Sequence, residues 1–180
     1  MKELLLDRLD SPLGQILIVF DDPELCALDY ADYETRMLKL LRARYGEVQL
    51  KEVSNPEGFR SLLQEYFRGN FRALDNILVN TGGSAFQQEV WKALRTIPAG
   101  SVVSYGELAR KIGKPGYARA VGLANSLNPI AIVIPCHRVV GANTNLTGYA
   151  GGLERKRWLL EHEGAISPIK KNVEQLSFEL

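Results

Sequence analysis

Residues 104–127 read SYGELARKIGKPGYARAVGLANSL, and this stretch sets the architecture of the second half of the chain. Ser104 lies three positions before Glu107, which is the spacing of a capping box that begins a helix. Residues 113–116 end this helix, and a second one is predicted over residues 117–127. Two short helices joined by a glycine-containing turn are typical of a helix-turn-helix, whose second helix can lie in a groove of DNA. Helical bundles contain the same corner, so the pattern alone leaves a purely structural role as an equal alternative.

Residues 1–80 are predicted to form a small α+β unit. Runs of alternating or apolar residues separated by turn signals predict an antiparallel sheet, with strands over residues 4–8, 15–20 and 25–30. Apolar residues recur at helical spacing over residues 33–45 and 57–67, which predicts two helices. A further strand is predicted between them, over residues 48–53. The predicted fold class is therefore α+β: a small N-terminal antiparallel sheet with helices, followed by a mainly helical domain.

A pair of glycines, Gly82 and Gly83, marks the boundary between the two halves. Ser84 and Gln87 form another capping box directly after it, and a last amphipathic helix is predicted over residues 153–162. We therefore expect three regions: an N-terminal domain over residues 1–82, a C-terminal domain over residues 83–164, and a tail over residues 165–180 to which the pattern assigns no role.

The charges are unevenly divided, although the whole chain carries a net charge of only +1. Residues 1–84 hold ten basic and fourteen acidic side chains, whereas residues 85–180 hold twelve and seven. The basic half is the one expected to meet a polyanion, although a difference of this size is also common on solvated surfaces. No run of eighteen apolar residues occurs, and Asp7 follows the N-terminus too closely for a secretory signal, so we expect a cytoplasmic protein that does not bind membranes.

Metal chemistry is limited by the small number of ligands that the sequence offers. The only cysteines are Cys26 and Cys136, the only histidines are His137 and His162, and no zinc-binding spacing occurs. Two distant cysteines are typical of reduced thiols rather than of a disulfide framework. We expect no metal site, and we assign Cys26, which lies in an apolar run, to packing.

Cys136 is the candidate nucleophile, and it follows a proline and the apolar run of residues 130–134. That run predicts a buried extended segment, which would present the thiol from a rigid core. A lone cysteine is more often an inert small side chain, but a nearby base or positive charge favours the reactive thiolate, and His137 and Arg138 supply both. Adjacent residues rarely pair directly, so a bridging water or an orienting carboxylate is needed. Glu163 is a candidate for this carboxylate that the sequence alone does not single out.

In this segment and on both sides of it, the chain resembles the O6-alkylguanine-DNA alkyltransferases of the Ogt type. The pentapeptide PCHRV at residues 135–139 matches the active-site signature of that family. The agreement continues at FQQEVW, VSY, ARAVG, NP, TGYAGG and WLLEHEG, which begin at residues 86, 103, 118, 128, 147 and 158. With SPLG at residues 11–14, it covers roughly residues 1–164. The resemblance implies a ribonuclease H-like N-terminal domain before the helical domain.

The resemblance also implies direct-reversal repair, in which an alkyl group moves irreversibly from O6-alkylguanine in DNA to Cys136. His137, held by Glu163 and acting through a water, would activate the thiol. Asn128 matches the hinge asparagine that ties the helix-turn-helix to the active-site segment. Tyr105 matches the tyrosine that presses on the phosphate beside the lesion and helps protonate the leaving base. No cofactor is implied, and each molecule would act once because the thioether product is stable.

On the DNA side, the resemblance implies that the damaged nucleotide is flipped out of the duplex and that Arg119 fills the hole. Small residues of the second helix would allow close approach to the minor groove of double-stranded DNA; they are Ala118, Ala120 and Gly122. The base pocket would be formed by Val139, Tyr149, Ala150 and Lys156. We expect the protein to act on alkylated DNA as a monomer.

Two departures and three alternatives accompany this interpretation. Ala150 stands where many relatives have serine; Ogt-type members share this alanine, which is associated with bulkier adducts and with O4-alkylthymine. The zinc ligands of some vertebrate relatives are absent.

A non-catalytic protein that binds alkylated bases would lack the acceptor cysteine, and a transcription regulator would use the helix-turn-helix but leave Cys136 as packing. A cysteine hydrolase would use Cys136 and His137 but turn over repeatedly.

Overall fold

The computed structural model describes residues 1–55 and 58–168, and it is an α+β structure as predicted. A four-stranded sheet comes first, in the order β3-β2-β1-β4, with strands β1 (Lys2–Ser11), β2 (Gly14–Asp21), β3 (Glu24–Tyr30) and β4 (Val48–Glu52). The first three strands form the predicted antiparallel meander. β4 instead runs parallel to β1, so the sheet is mixed. The reason is helix α1 (Glu34–Tyr45), which carries the chain back before β4 begins and so leaves β4 running in the direction of β3 and β1.

The sheet is covered on both faces because its central strand is apolar on both sides. In β2, Ile16, Ile18 and Phe20 belong to the main core, whereas Leu17 and Val19 pack on the opposite face. Helix α1 covers this second face through its buried side chains Met37 and Leu41. Helix α2 (Phe59–Phe67) contributes Leu63 and Tyr66 to the main core. The predicted start of α2 at residue 57 lies outside the described residues.

The second half contains four α-helices and a two-stranded parallel ladder within its described residues. The helices are α3 (Ala85–Leu94), α4 (Tyr105–Lys111), α5 (Ala118–Ser126) and α6 (Leu153–His162); the strands are β5 (Val103–Ser104) and β6 (Val139–Val140). Both predicted capping boxes are present, at Ser84 with Gln87 and at Ser104 with Glu107. Helices α4 and α5 form the predicted helix-turn-helix and pack against α3, where Trp91 Nε1 donates to the carbonyl of Ala124.

The apolar run before the candidate nucleophile is buried but is extended only at its start. Ile130 pairs with Leu28 of β3, after which the chain turns, and Ile132 has φ of 69°. A β-branched residue in this left-handed region is strained, so its surroundings must hold it in place. Asn128, two residues before the run, does so: its Oδ1 accepts from Ile130 N at 2.9 Å, and its Nδ2 donates to Ile134 O at 2.7 Å. The expectation of an extended segment over residues 130–134 was therefore wrong beyond Ile130.

Contacts between the halves place the first half directly behind the second. Besides the Leu28–Ile130 pairing, Arg36 of α1 binds the buried carboxylate of Asp29 and also donates to the carbonyls of Ser126 and Asn128. The end of α5 is thereby fastened to the N-terminal sheet. Across the described ranges, no helix combines the length and the apolar character needed to span a membrane.

Candidate active site

Cys136 lies at the start of a one-turn helix, Cys136–Arg138, directly before β6. The pairing of β5 with β6 places Tyr105, which follows β5, close to this turn. The thiol residue is only 4% exposed and lines a cavity of about 270 Å³. The other residues lining the cavity are Tyr105, Gly122, Asn125, Ser126, Gly148, Tyr149 and Ala150. The structure thus brings Cys136 together with four of the predicted site residues: Tyr105, Gly122, Tyr149 and Ala150.

Behind Cys136, a buried network is centred on the carboxylate of Glu163. His137 Nε2 lies 2.8 Å from Glu163 Oε1, and Arg138 donates to both carboxylate oxygens at 2.8 and 2.9 Å. Tyr66 of α2 donates its hydroxyl to the same Oε1 at 2.7 Å. The carboxylate therefore holds the imidazole while its negative charge is balanced by the Arg138 guanidinium.

This network fixes the tautomer of His137. A carboxylate only accepts hydrogen bonds, so Nε2 carries the proton and Nδ1 of the neutral ring holds a lone pair. Burial lowers the pKa of His137 more than Glu163 raises it, so the ring is neutral at neutral pH. Within the described part of the chain, Nδ1 is buried and has no hydrogen-bond partner. His137 thus has the form of a base with its accepting atom free.

The protein shifts the pKa values of Cys136 and Glu163 in opposite directions, upward for Cys136 and downward for Glu163. Burial raises the pKa of the Cys136 thiol, and the nearby Asn128 amide and Lys156 charge offset this only in part. Burial would likewise raise the pKa of Glu163, but the hydrogen bonds from His137 and Arg138 and the charge of Arg138 outweigh it and hold that pKa well below its ordinary value. The resting site therefore contains a neutral thiol near a neutral imidazole, which is in turn held by a carboxylate.

We expect Glu163→Gln to destabilise the fold by about 3 kcal/mol, because it leaves the Arg138 guanidinium buried without its counter-charge. Tyr66→Phe removes one donor and should cost about 1 kcal/mol. Urea unfolding at pH 7 measures both losses. Because the folded-state pKa of Glu163 is depressed, its stabilisation is present above its ordinary pKa of 4.5 and is lost progressively as the pH falls below that value.

The matched control for this prediction is Glu65→Gln, which removes an exposed carboxylate paired with Arg68. Its cost should stay below about 1 kcal/mol. Equal losses for Glu163→Gln and Glu65→Gln would contradict the assignment of Glu163 as the charge that neutralises Arg138.

Lys156 lies behind the loop that covers the cavity. Its ammonium donates to three carbonyls, those of Val139 at 2.6 Å, Thr147 at 2.9 Å and Gly148 at 3.1 Å. Burial lowers its pKa to about 8, so most molecules retain the charge at pH 7. The structure thus places Lys156 and Val139 one step behind the cavity wall, where they hold the loop rather than line the pocket.

The remaining predicted residues lie on or beside α5. Arg119 is exposed, whereas Ala118 and Ala120 are half-buried. Leu123, one turn beyond Arg119, is 63% exposed and extends the same face. Gly122 faces inward, since a Cβ there would meet the Tyr105 ring at 3.8 Å, in ordinary contact. Helix α5 therefore presents one side to solvent and another to the cavity.

Tyr105 has its ring against this helix and its hydroxyl 3.3 Å from the carbonyl of Thr147, to which it donates. Burial raises the pKa of Tyr105, and the bond to Thr147 offsets this only partly. The hydroxyl is therefore protonated at neutral pH and can serve as a donor at the edge of the cavity.

Four residues of this region were not among the predicted site residues. Tyr66 was assigned only to the apolar face of α2, and Tyr30 was assigned to a strand, yet the hydroxyls of Tyr30 and Tyr149 lie 2.8 Å apart. Gly151 packs so closely beneath Tyr30 that a Cβ would collide with its ring. Asn125 is a buried polar residue of α5, and its signal in the sequence is an amide at a position whose helical neighbours Val121 and Ala124 are apolar.

Cys26 fits the predicted packing role. It is fully buried in the second core cluster, and the hydrogen-bond partners of its sulfur within the described structure are the carbonyl of Glu24 and the hydroxyl of Tyr45. A cavity of about 380 Å³ lies beside it, lined largely by apolar side chains of α1 and α3. Cys26 differs from Cys136 in having no histidine beside it, so it lacks a base that could take the proton of its thiol.

Comparison with known proteins gives a consistent result over nearly the whole chain. The profile described as 6-O-methylguanine DNA methyltransferase, ribonuclease-like domain, matches residues 4–80, and that described as 6-O-methylguanine DNA methyltransferase, DNA binding domain, matches residues 85–165. A methylated-DNA–protein-cysteine methyltransferase of Shigella flexneri is 49% identical over 91% of this chain and 98% of its own length. One from Mycolicibacterium paratuberculosis is 46% identical over 88% and 92%. The crystal structure of Mycobacterium tuberculosis OGT in complex with DNA matches with a TM-score of 0.73 at 38% identity, covering 92% of this chain and 96% of that one.

Proposed function

Because the chain belongs to the 6-O-methylguanine DNA methyltransferase family, we propose that it repairs DNA by moving the alkyl group of O6-alkylguanine onto Cys136. Its activity is that of a methylated-DNA–protein-cysteine methyltransferase. The observation that carries the assignment to Cys136 is the buried thiol at a cavity, followed directly by a neutral His137 whose Nδ1 is unpaired among the described residues.

The reaction requires a proton to leave Cys136 before or as the sulfur attacks. We assign this proton to His137 Nδ1 through a water, since direct pairing of adjacent side chains is geometrically poor. The thiolate forms a bond to the alkyl carbon while the carbon–oxygen bond breaks and its electron pair stays on the base. The proton from the thiol finally replaces the alkyl group on the guanine, so atoms and charges balance without a cofactor.

Stabilisation of the leaving base falls to donors at the cavity. As the bond to oxygen breaks, negative charge develops on the guanine ring, and a preorganised hydroxyl stabilises it with little reorganisation. Tyr105 is protonated and lies at the cavity edge, so we assign it this role, for which its O–H turns from the Thr147 carbonyl to the base. Asn128 acts indirectly, because it holds the turn that leads to Cys136.

Binding to alkylated double-stranded DNA is assigned to the exposed side of α5. A base stacked inside a duplex cannot enter a cavity within the protein, so the nucleotide must be flipped out of the stack. We assign the exposed Arg119 to fill the gap, and the small side chains of Ala118 and Ala120 to let the helix approach the minor groove closely; Gly122 faces inward and leaves room for the Tyr105 ring. We propose that the protein acts as a monomer and that residues 1–82 support this DNA-binding half from behind.

The direct test is the intact mass of the protein after mixing with a duplex that contains O6-methylguanine. The protein should gain one methylene unit, the gain should lie on the peptide containing Cys136, and it should saturate at one methyl group per molecule. Repeated turnover of excess DNA by an unmodified protein would overturn the proposal and point to hydrolysis instead.

We expect Tyr105→Phe to slow methyl transfer about 100-fold while weakening duplex binding less than threefold. The ring of the variant can still pack on Gly122, but the hydroxyl that stabilises the leaving base is lost, and loss of one such donor typically costs about 100-fold or more. Single-turnover rates and fluorescence anisotropy measure the two effects. Equal losses in rate and affinity would show that Tyr105 only positions the DNA.

A further inference from the structure

Tyr30 is the last residue of β3, in the first half of the chain, and the reaction above assigns it no task. We propose that Tyr30 is a positioning residue for the transfer: its hydroxyl holds the ring of Tyr149, and with it one wall of the cavity at Cys136. This inference rests on the proposed function, because it concerns the same cavity.

The ring of Tyr149 lies in a loop that does not hold it in place by itself. Three glycines surround it, Gly148, Gly151 and Gly152, and glycine permits many backbone conformations. Lys156 holds this loop from behind, but its contacts there are with the carbonyls of the two residues before Tyr149. The side chain of Tyr149 therefore needs an anchor of its own.

That anchor is the hydroxyl of Tyr30, which lies 2.8 Å from the hydroxyl of Tyr149. The two rings meet edge to face, with their centres 6.4 Å apart and their planes at 71°. Burial raises the pKa of both phenols, so both are protonated at neutral pH and either one can donate to the other. Across residues 1–55 and 58–168, each hydroxyl is the only hydrogen-bond partner of the other.

Tyr30 itself is held firmly by its surroundings. It is fully buried, and its backbone pairs with Ile16 of the central strand β2. The guanidinium of Arg155 lies over its ring, 4.2 Å from the ring centre. Gly151 packs so closely against the ring that a Cβ there would collide with it. The hydroxyl of Tyr30 is thus a rigid support for a side chain of a glycine-rich loop.

The position of this wall matters because the transfer is a displacement that needs alignment. The alkyl carbon must lie in line between the Cys136 sulfur and the guanine oxygen when the sulfur attacks. Cys136 and Tyr149 line the same cavity of about 270 Å³, so a flipped base is confined by both. Displacement of a reacting group by about 1 Å can cost about 100-fold in rate. A hydroxyl that keeps Tyr149 in place therefore speeds the reaction without touching the base.

The test measures single-turnover methyl transfer from duplex O6-methylguanine by the unaltered protein, Tyr30→Phe, Tyr149→Phe and the double variant. Tyr30→Phe keeps the ring but removes its hydroxyl. We expect it to slow transfer about tenfold, since a neutral hydrogen bond contributes a factor of about that size. The reaction with the free base O6-benzylguanine should slow equally, because the wall acts after flipping, and duplex affinity should change less than about twofold.

The double variant shows whether Tyr30 acts through Tyr149. If it does, the double variant should be no more than about twofold slower than Tyr149→Phe alone, because the same hydrogen bond is already lost. Independent effects would multiply instead. A loss of overall stability, which urea unfolding measures separately, would not produce this pattern in rates recorded on folded protein.

Tyr45→Phe is the matched control. It also removes a tyrosine hydroxyl from the first half of the chain, but one that donates to Cys26 Sγ in the second core cluster, so the transfer rate should change less than about twofold. If Tyr30→Phe does not fold, Tyr149→Phe breaks the same hydrogen bond from the loop side and must show the tenfold loss on both substrates.

Two results would overturn the inference: an unchanged rate in folded Tyr30→Phe, and a double variant whose loss is the product of the two single losses. A rate loss on the duplex that is absent with the free base would overturn it too, since Tyr30 would then act on DNA binding or flipping. Absence of methyl transfer by the unaltered protein would instead overturn the proposed function itself.

Discussion

Cys136→Ala is expected to abolish methyl transfer completely, while the protein still binds duplex DNA containing O6-methylguanine. No other sulfur within the described structure lies at the cavity, since Cys26 is buried in the opposite core cluster. The fold should tolerate the change, because alanine occupies less space and the Cys136 sulfur makes no hydrogen bond that the network around Glu163 needs. Intact mass and anisotropy should therefore show an unmodified protein that remains bound to the lesion.

The matched control is Cys26→Ala, which deletes the only other thiol of the chain. It leaves a small cavity in the core and should lower stability by about 1 kcal/mol, but it should transfer methyl groups at a nearly unchanged rate. Methylation of Cys136→Ala at any residue would contradict the assignment, and loss of transfer in Cys26→Ala at a temperature where it is folded would do so as well.

Arg119→Ala is expected to slow repair of duplex DNA about 100-fold. Unstacking and unpairing a base costs a few kcal/mol, and the proposed role of the exposed Arg119 of α5 is to offset this cost by filling the gap. The free base O6-benzylguanine needs no flipping, so its reaction with Cys136 should proceed at nearly the original rate. Single-turnover measurements on the duplex and on the free base separate these two effects.

Two further variants identify the kind of contact that Arg119 makes. Arg119→Lys should recover only part of the duplex activity if the planar guanidinium occupies the stack, but most of it if the residue merely binds a phosphate. Arg110→Ala removes an exposed charge of α4 and should produce only a modest, salt-dependent loss. Equal losses on duplex and free base for Arg119→Ala would show that Arg119 supports the cavity rather than the flipped state.

The parts of the structure that follow from local signals were predictable from the sequence. Ser84 and Ser104 begin helices because a side-chain oxygen three residues before a Gln or Glu satisfies the free N–H groups at the helix start. The helix-turn-helix follows from similarly local patterns. The choice of Cys136 as the candidate nucleophile follows from the residues beside it and from the resemblance of residues 135–139 to a known signature. Such features depend on neighbours within a few residues, so one sequence suffices to specify them.

The parts that depend on distant partners could not be predicted. Tyr66 contacts Glu163 across 97 positions of the chain, and Tyr30 contacts Tyr149 across 119, so each appears in the sequence only as an aromatic core residue. The direction of β4 depends on how α1 crosses the sheet, which alternation of apolar residues does not encode. The turn at Ile132 could not be predicted either, because a continuous apolar run indicates that a segment is buried but not which direction its backbone takes.

The close packing of Gly151 beneath the Tyr30 ring restricts how this protein can diverge. A side chain at position 151 would collide with the rings of both Tyr30 and Tyr149, so a substitution there is tolerated only together with compensating changes at those positions. Residues from opposite ends of the gene are thus expected to change in pairs. A chimera that joins the helical half of this chain to the first half of a distant relative should bind DNA yet hold Tyr149 loosely, unless the relative supplies an aromatic hydroxyl at the position of Tyr30.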